Sequence, residues 1–208
     1  MGALLTPPVW PINSKTIDEM KELHIARLAL MKDGTAAKNR EHACRAPLLK
    51  RQAMQRLTQI DRQIAAIDAA LKACLESDPD LVARFKIIVS IPGIGARTAI
   101  TMLIEMPELG QLDNRQVASL AGVAPQARDS GQNRGKRHIR GGRAILRQAL
   151  YMPALVAARY NADLKAKYQA MIAAGKPAKV AITAVMRKLI ILANAFLRAN
   201  RPWSEKMA

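Results

Sequence analysis

Between residues 53 and 74 apolar side chains return at alternating steps of four and three: Ala53, Leu57, Ile60, Ile64, Ile67, Leu71 and Cys74. An average step of 3.5 residues is the a/d seam of a helix that packs lengthwise on another helix. The seam is too long and too narrow for a solitary surface helix. It calls for a partner: the preceding helix as an antiparallel hairpin, a second copy of the chain, or both. Arg51, Arg56, Arg62 and Lys72 alternate with Asp61 and Asp68 off the seam and read as a solvated face. Ser14 is placed to cap a first helix over about 15–32, and Asp33-Gly34 to break it. A second helix is expected over about 35–76, with a flaw at Pro47. Only 3% of residues are aromatic, and the apolar half is rich in Ala, Leu, Ile and Met. That balance favours helices over sheets, so the expected fold class is all-α.

The remaining punctuation divides the chain further. Pro7, Pro8 and Pro11 mark residues 1–14 as a Pro-rich linker, residues 15–77 form the coiled-coil or oligomerisation part, and residues 78–208 form a helical domain. Ser77-Asp-Pro-Asp80 breaks the seam helix and starts a new one. Helices are expected over about 81–90, 96–106, 114–120 (capped by Asn114), 142–159, 162–174 and 178–199, with no convincing strand. The stretch 180–197 is strongly apolar but carries Arg187 and Lys188 at its centre, which suits a core helix and not a membrane span. Cys44 and Cys74 form no CxxC pair, consistent with a reducing cytoplasm, and no signal-peptide pattern is read at the N-terminus.

Charge is uneven. Residues 1–90 carry 14 Lys/Arg against 10 Asp/Glu, whereas residues 91–208 carry 19 against 6. The second half is therefore the electrostatic footprint, and a polyphosphate is the simplest partner for it. From Gln126 to Arg147 there are seven Lys/Arg and one acid, Asp129. Unpaired charge of that density is too costly to bury.

Two segments carry the chemistry. Ser90-Ile-Pro-Gly-Ile-Gly95 reads as the turn of a helix-hairpin-helix. Gly93 and Gly95 would permit positive φ and close backbone approach, and the amides opening the next helix, with Arg97 and Thr98, would grip phosphates with little sequence preference. Ile94 is expected to plug the core. The bland alternative is a tight connection with no ligand. In the Gly-rich basic loop, Ser130 is the hydroxyl with a nucleophile's setting. It would attack a phosphodiester while Arg128, Arg134, Lys136, Arg137, Arg140 and Arg143 hold phosphate charge. The bland alternative is a serine that merely contacts phosphate. His138 suits a phosphate contact, and His24 and His42 look incidental. Tyr151, Tyr160 and Tyr168 lie on the helices after the loop; a tyrosine nucleophile is the alternative to Ser130, but packing at helical spacing is the stronger reading for each. The acids after residue 90 do not cluster as a two-metal site would require.

Several words of the sequence, in order, resemble the C-terminal part of IS110-family insertion-sequence transposases. They are Ser90-Ile-Pro-Gly-Ile-Gly95, Leu120-Ala-Gly-Val-Ala-Pro125, Arg128-Asp-Ser-Gly131, Arg140-Gly-Gly-Arg143, Ala149-Leu-Tyr-Met152, Gly175-Lys-Pro177 and Val185-Met-Arg-Lys188, with Ala37-Lys-Asn-Arg40 in the seam region. The resemblance implies DNA transposition by site-specific recombination in a bacterial cytoplasm at the nucleoid, with Ser130 as the nucleophile. It also implies a structured bridge RNA as guide, a homo-oligomer joined through the coiled coil, and no membrane partner. Family members carry an N-terminal RNase-H-like domain with four metal-binding acids, which has no counterpart here. The resemblance then implies that Mg2+ enters only with that domain and that this part is inactive alone. A noncatalytic nucleic-acid-binding module, or an oligomerisation fragment that regulates a longer transposase, is the alternative.

Overall fold

Pro47 decides where the first long helix ends. A proline disfavours the α conformation of the residue before it and is well suited to the first position of a new helix. Helix α1 accordingly runs over Lys15–Ala43, capped by Ser14, and α2 over Pro47–Glu76. The expected break at Asp33-Gly34 does not occur. An interior glycine costs only about 1 kcal/mol, and α1 passes through Gly34 because its bare face meets α2: a Cβ there would lie 3.5 Å from Ile60 Cγ2. The computed structural model describes residues 14–127 and 137–204. The chain divides into two compact units, residues 1–75 and 76–208.

In the first unit α1 and α2 form an antiparallel hairpin, since Glu19 lies beside Cys74, Arg27 beside Asp68 and Gly34 beside Ile60. Ile60 and Leu71 of the seam are buried, while Ala53, Leu57, Ile64, Ile67 and Cys74 are half-buried. The matching seam on α1 is Ile17, Met20, His24 and Arg27, all buried. Asp68 is thus not part of an ordinary solvated face: Arg27 Nε donates to its Oδ1 at 2.5 Å. The Arg27 side chain is 10% exposed, so this pair offsets a charge that would otherwise be stranded. His24 is likewise not incidental. It is 5% exposed, its Nε2 has no protein partner, and burial, reinforced by Arg27, holds its pKa below the usual imidazole range.

The second unit holds α3 (Pro79–Val89), α4 (Ala96–Glu105), α5 (Asn114–Leu120), β1 (Pro125–Gln126), β2 (His138–Ile139), α6 (Ala144–Tyr160), α7 (Ala162–Ala173) and α8 (Ala178–Arg198). Among the described residues the fold is all-α apart from the β1–β2 pair. Helix α8 is the spine. Its buried positions, Ala181, Ile182, Val185, Met186, Leu189, Ile190, Ala193 and Asn194, repeat at helical spacing and pack on α3, α5, α6 and α7. It is the one described helix long and apolar enough to cross a membrane, with mean hydropathy 1.8, yet its apolar face is spent inside this unit. Arg187 and Lys188 stay half-buried and exposed at its middle.

Polar side chains fasten the α4–α5 connection to this spine. Asn194, 1% exposed, accepts from Gly110 N at 2.7 Å and donates to Leu112 O at 2.8 Å. Arg198 also donates to Leu112 O. Arg84 donates to Pro107 O at 2.7 Å and Leu109 O at 3.0 Å, and burial lowers its pKa. The cap of α5 is Asp113 and not Asn114, because Asp113 accepts from the amides of Arg115 and Gln116 while Gln116 reaches back to the Asp113 amide. At the C-terminus, Trp203 sets its indole edge-on to Phe196 and donates its backbone N–H to Ser90 Oγ at 2.7 Å.

Candidate nucleic-acid interface

The glycine turn comes first in the chain. Helices α3 and α4 flank Ser90–Gly95, and Ile91 and Ile94 are buried at 0% and 4% exposure. Gly93 has φ +99°, and a Cβ there would lie 3.0 Å from both Ala157 Cβ and Pro153 O of α6. The close approach this glycine permits is therefore to α6, not to a phosphate. Gly95 has φ −86° and needs no special conformation. It is the N-cap of α4, has open space around it and offers no side-chain cap. Gly95, Ala96 and Arg97 are exposed and Thr98 is half-buried, so the opening turn of α4 faces solvent with its positive dipole end.

The second element is the root of the basic loop. Two glycine words that are twenty residues apart in sequence lie back to back here. Gly122 has φ +67° and Gly142 φ +65°. A Cβ on Gly142 would sit 2.3 Å from Gly122 N and 2.7 Å from Leu120 O, and one on Gly122 would sit 2.4 Å from Gly141 O. The pair is bolted by hydrogen bonds: Arg143 N donates to Leu120 O at 2.7 Å, and Arg147 Nη1 to Gly141 O at 2.6 Å. Just beyond, Pro125 pairs with Ile139 and Gln126 with His138 in an antiparallel ribbon. No strand was expected here, because two residues per strand carry no alternation to read. Their pairing is set by the glycine neck beneath them.

This neck holds the two ends of the segment that contains Ser130. Ser130, Arg128, Arg134 and Lys136 lie outside the described residues. His138 in β2 and Arg137 and Arg140 on either side of it are exposed. Arg143 is different. Its guanidinium forms an ion pair with Glu108 at 2.6 Å, and Glu108 is only 8% exposed. Arg143 thereby ties the loop root to the α4–α5 connection. Glu108 and Arg147 were not singled out in the sequence, and neither fits a local motif, since each acts on backbone or charge more than five residues away. Among the described residues no group of three or more His, Cys, Asp and Glu side chains could hold a metal ion.

Residues 85–169 match the Transposase IS116/IS110/IS902 family. That span contains the glycine turn, both halves of the neck and Ser130. The chain is 33% identical over 156 residues to a "Pilin gene-inverting protein" of Moraxella bovis, covering 73% of this chain and 46% of the relative. A protein of the same name from Moraxella lacunata matches to the same extent. An "Insertion element IS110 uncharacterized 43.6 kDa protein" of Streptomyces coelicolor is 28% identical over 153 residues, covering 73% of this chain and 37% of the relative. The chain thus spans less than half the length of the curated relatives it matches. The glycine turn, the neck and the helices that carry them thus lie in a stretch, residues 85–169, that belongs to the Transposase IS116/IS110/IS902 family.

Proposed function

We propose that this chain is the serine-bearing, DNA-gripping part of a transposase that moves or inverts DNA by site-specific recombination. The observation that carries the reading is the family match over residues 85–169, which spans the neck and the serine between its two ends. Relatives named as gene-inverting proteins support recombination as the reaction. In this reading Ser130 Oγ attacks a DNA phosphorus, a sugar oxygen leaves, and the strand is held as a phosphoserine ester until a new sugar hydroxyl reverses the step. Arg128, Arg134, Lys136, Arg137 and Arg140 gather the negative charge of the crowded phosphorus. Gly95, Arg97 and Thr98 at the start of α4 hold the backbone in helix-hairpin-helix fashion. Gly93 serves by letting that turn seat on α6. Arg143 contributes by bracing the loop against Glu108.

The family's Mg2+ belongs with an acidic domain. The described residues do not assemble a site for it. A structured guide RNA, a homo-oligomer built on the partly open α1–α2 seam, and action at the bacterial nucleoid complete the proposal. The test is covalent trapping on nicked element-end DNA, with the acidic domain supplied in trans. A phosphoserine adduct mapped to residue 130 and absent in Ser130→Ala is the expected result. No adduct, or a Ser130→Ala chain that loses DNA binding as fully as chemistry, would reject the nucleophile.

A further inference from the structure

A groove of about 740 Å³ opens on the second unit beside the β1–β2 ribbon. Val123, Tyr151, Met171, Val180 and Met186 give it an apolar floor, drawn from the segment before β1, from α6, α7 and α8. Large apolar side chains remain open to solvent there: Ile139 is 37% exposed, Tyr151 43% and Val180 49%. The rim is cationic. Arg137, Arg147, Lys179 and Arg187 stand around it, and no carboxylate lines it among the described residues. An apolar floor of this size open to water marks a binding surface. A helix from another protein that laid its apolar face on the floor would leave Arg137, Lys179 and Arg187 without anionic partners, Arg147 being already bonded to Gly141 O. An apolar floor with one tyrosine ring, inside a rim of cations, instead matches a flat base attached to phosphates.

We propose that this groove receives an unstacked deoxynucleotide of the DNA strand, its base on Tyr151 and its flanking phosphates on Arg137, Lys179 and Arg187. The inference rests on the DNA-recombining reading above and adds a place where a base leaves the duplex next to the serine-bearing loop. Deoxyribose is the sugar because the reading above is of a protein that acts on DNA. The uncharged polar groups of the lining are the Gln148 amide, the Tyr151 phenol, the His138 imidazole and the Thr183 hydroxyl, and the last already donates to Lys179 O at 2.8 Å. Ala149-Leu-Tyr-Met152 acquires a role on this basis. Leu150 is buried, whereas Tyr151 and Met152 point outward, which packing alone does not require.

The experiment is photocrosslinking of the full chain to a single-stranded DNA octamer carrying one 5-iododeoxyuridine, with the adduct mapped by mass spectrometry. Crosslinks to Tyr151 or Met171 are expected. Tyr151→Ala should weaken octamer binding about tenfold and Tyr151→Phe should restore it, since stacking needs the ring and not the hydroxyl. Tyr151 is exposed enough for both variants to keep the parent melting curve. Lys179→Gln and Arg187→Gln should each lower the salt slope of binding by about 0.7. Crosslinks that map only elsewhere, equal affinity for Tyr151→Ala, an RNA octamer that outcompetes the DNA, or no octamer binding at all would each overturn the groove assignment. Failure of serine trapping with crosslinks still at Tyr151 would instead reject the nucleophile and leave the groove standing.

Discussion

Replacing Gly142 with alanine tests the neck beneath the serine loop directly. Two costs add at this position. With φ +65°, an alanine meets the left-handed penalty of about 1–2 kcal/mol. Its Cβ would also lie 2.3 Å from Gly122 N, 2.5 Å from Gly122 Cα and 2.7 Å from Leu120 O, all backbone atoms that cannot rotate away. Forcing them apart strains the Arg143 N to Leu120 O bond and costs about another 1–3 kcal/mol, as overpacking does elsewhere. The sum is about 2–5 kcal/mol, or roughly 8–20 °C in melting temperature for a unit of this size. Gly141 is the control, because its φ is +70° but a Cβ there meets nothing within 4 Å. Gly141→Ala should cost only about 1–2 kcal/mol. Gly95→Ala, with ordinary φ and open space, should cost only about 0.5–1 kcal/mol, the loss of a glycine N-cap. Unfolding can be followed by Trp203 fluorescence in a Trp10→Phe background, since Trp203 packs on Phe196 and the α3–α4 turn. Equal losses for Gly141→Ala and Gly142→Ala would refute the backbone contact as the reason for the glycine.

Other outcomes follow from the polar interior. Asn194→Leu removes both hydrogen bonds to the α4–α5 connection and strands Gly110 N, while Arg198 still holds Leu112 O, so urea unfolding should show a loss of about 1–3 kcal/mol. Asp68→Asn leaves Arg27 with a weaker partner in a buried seam and should cost about 1–3 kcal/mol. The pair is discounted from a fully buried one because Asp68 is 34% exposed. His24 is held neutral in the folded hairpin while the unfolded chain titrates near pH 6.5, so stability is lost as pH falls below about 6.5. His24→Leu should flatten that acid loss in chemical denaturation at pH 5 and pH 7.5, and an unchanged slope would refute the assignment. Arg137→Gln and Arg140→Gln should each lower the salt slope of duplex DNA binding by about 0.9 without shifting the unfolding midpoint, whereas Arg143→Gln should lower stability because it releases Glu108.

Local periodicity and punctuation determined much of this protein by themselves. Helix class, the seam on α2, the start of α3 at the Ser77–Asp80 break, and α7 and α8 to within a residue or two are all local properties of spacing, capping and breakers. So is the concentration of positive charge after residue 90. The extent of α1 was hidden because its seam uses His24 and Arg27, which a hydrophobic pattern does not count, and because Gly34 looks like a stop until Ile60 is placed opposite it. Asn194 was legible in principle as a polar residue within an apolar helix face, but its partners lie more than eighty residues away. Only tertiary structure decided that Gly93 is a seat for α6, that Gly122 and Gly142 form one neck, that Arg143 is an anchor to Glu108, and that Tyr151 shares a groove with α8. The physical reason is common to all four. A glycine, an arginine or a tyrosine has the same local preferences whether its neighbour is water, a phosphate or another helix, and only the folded chain chooses which neighbour arrives.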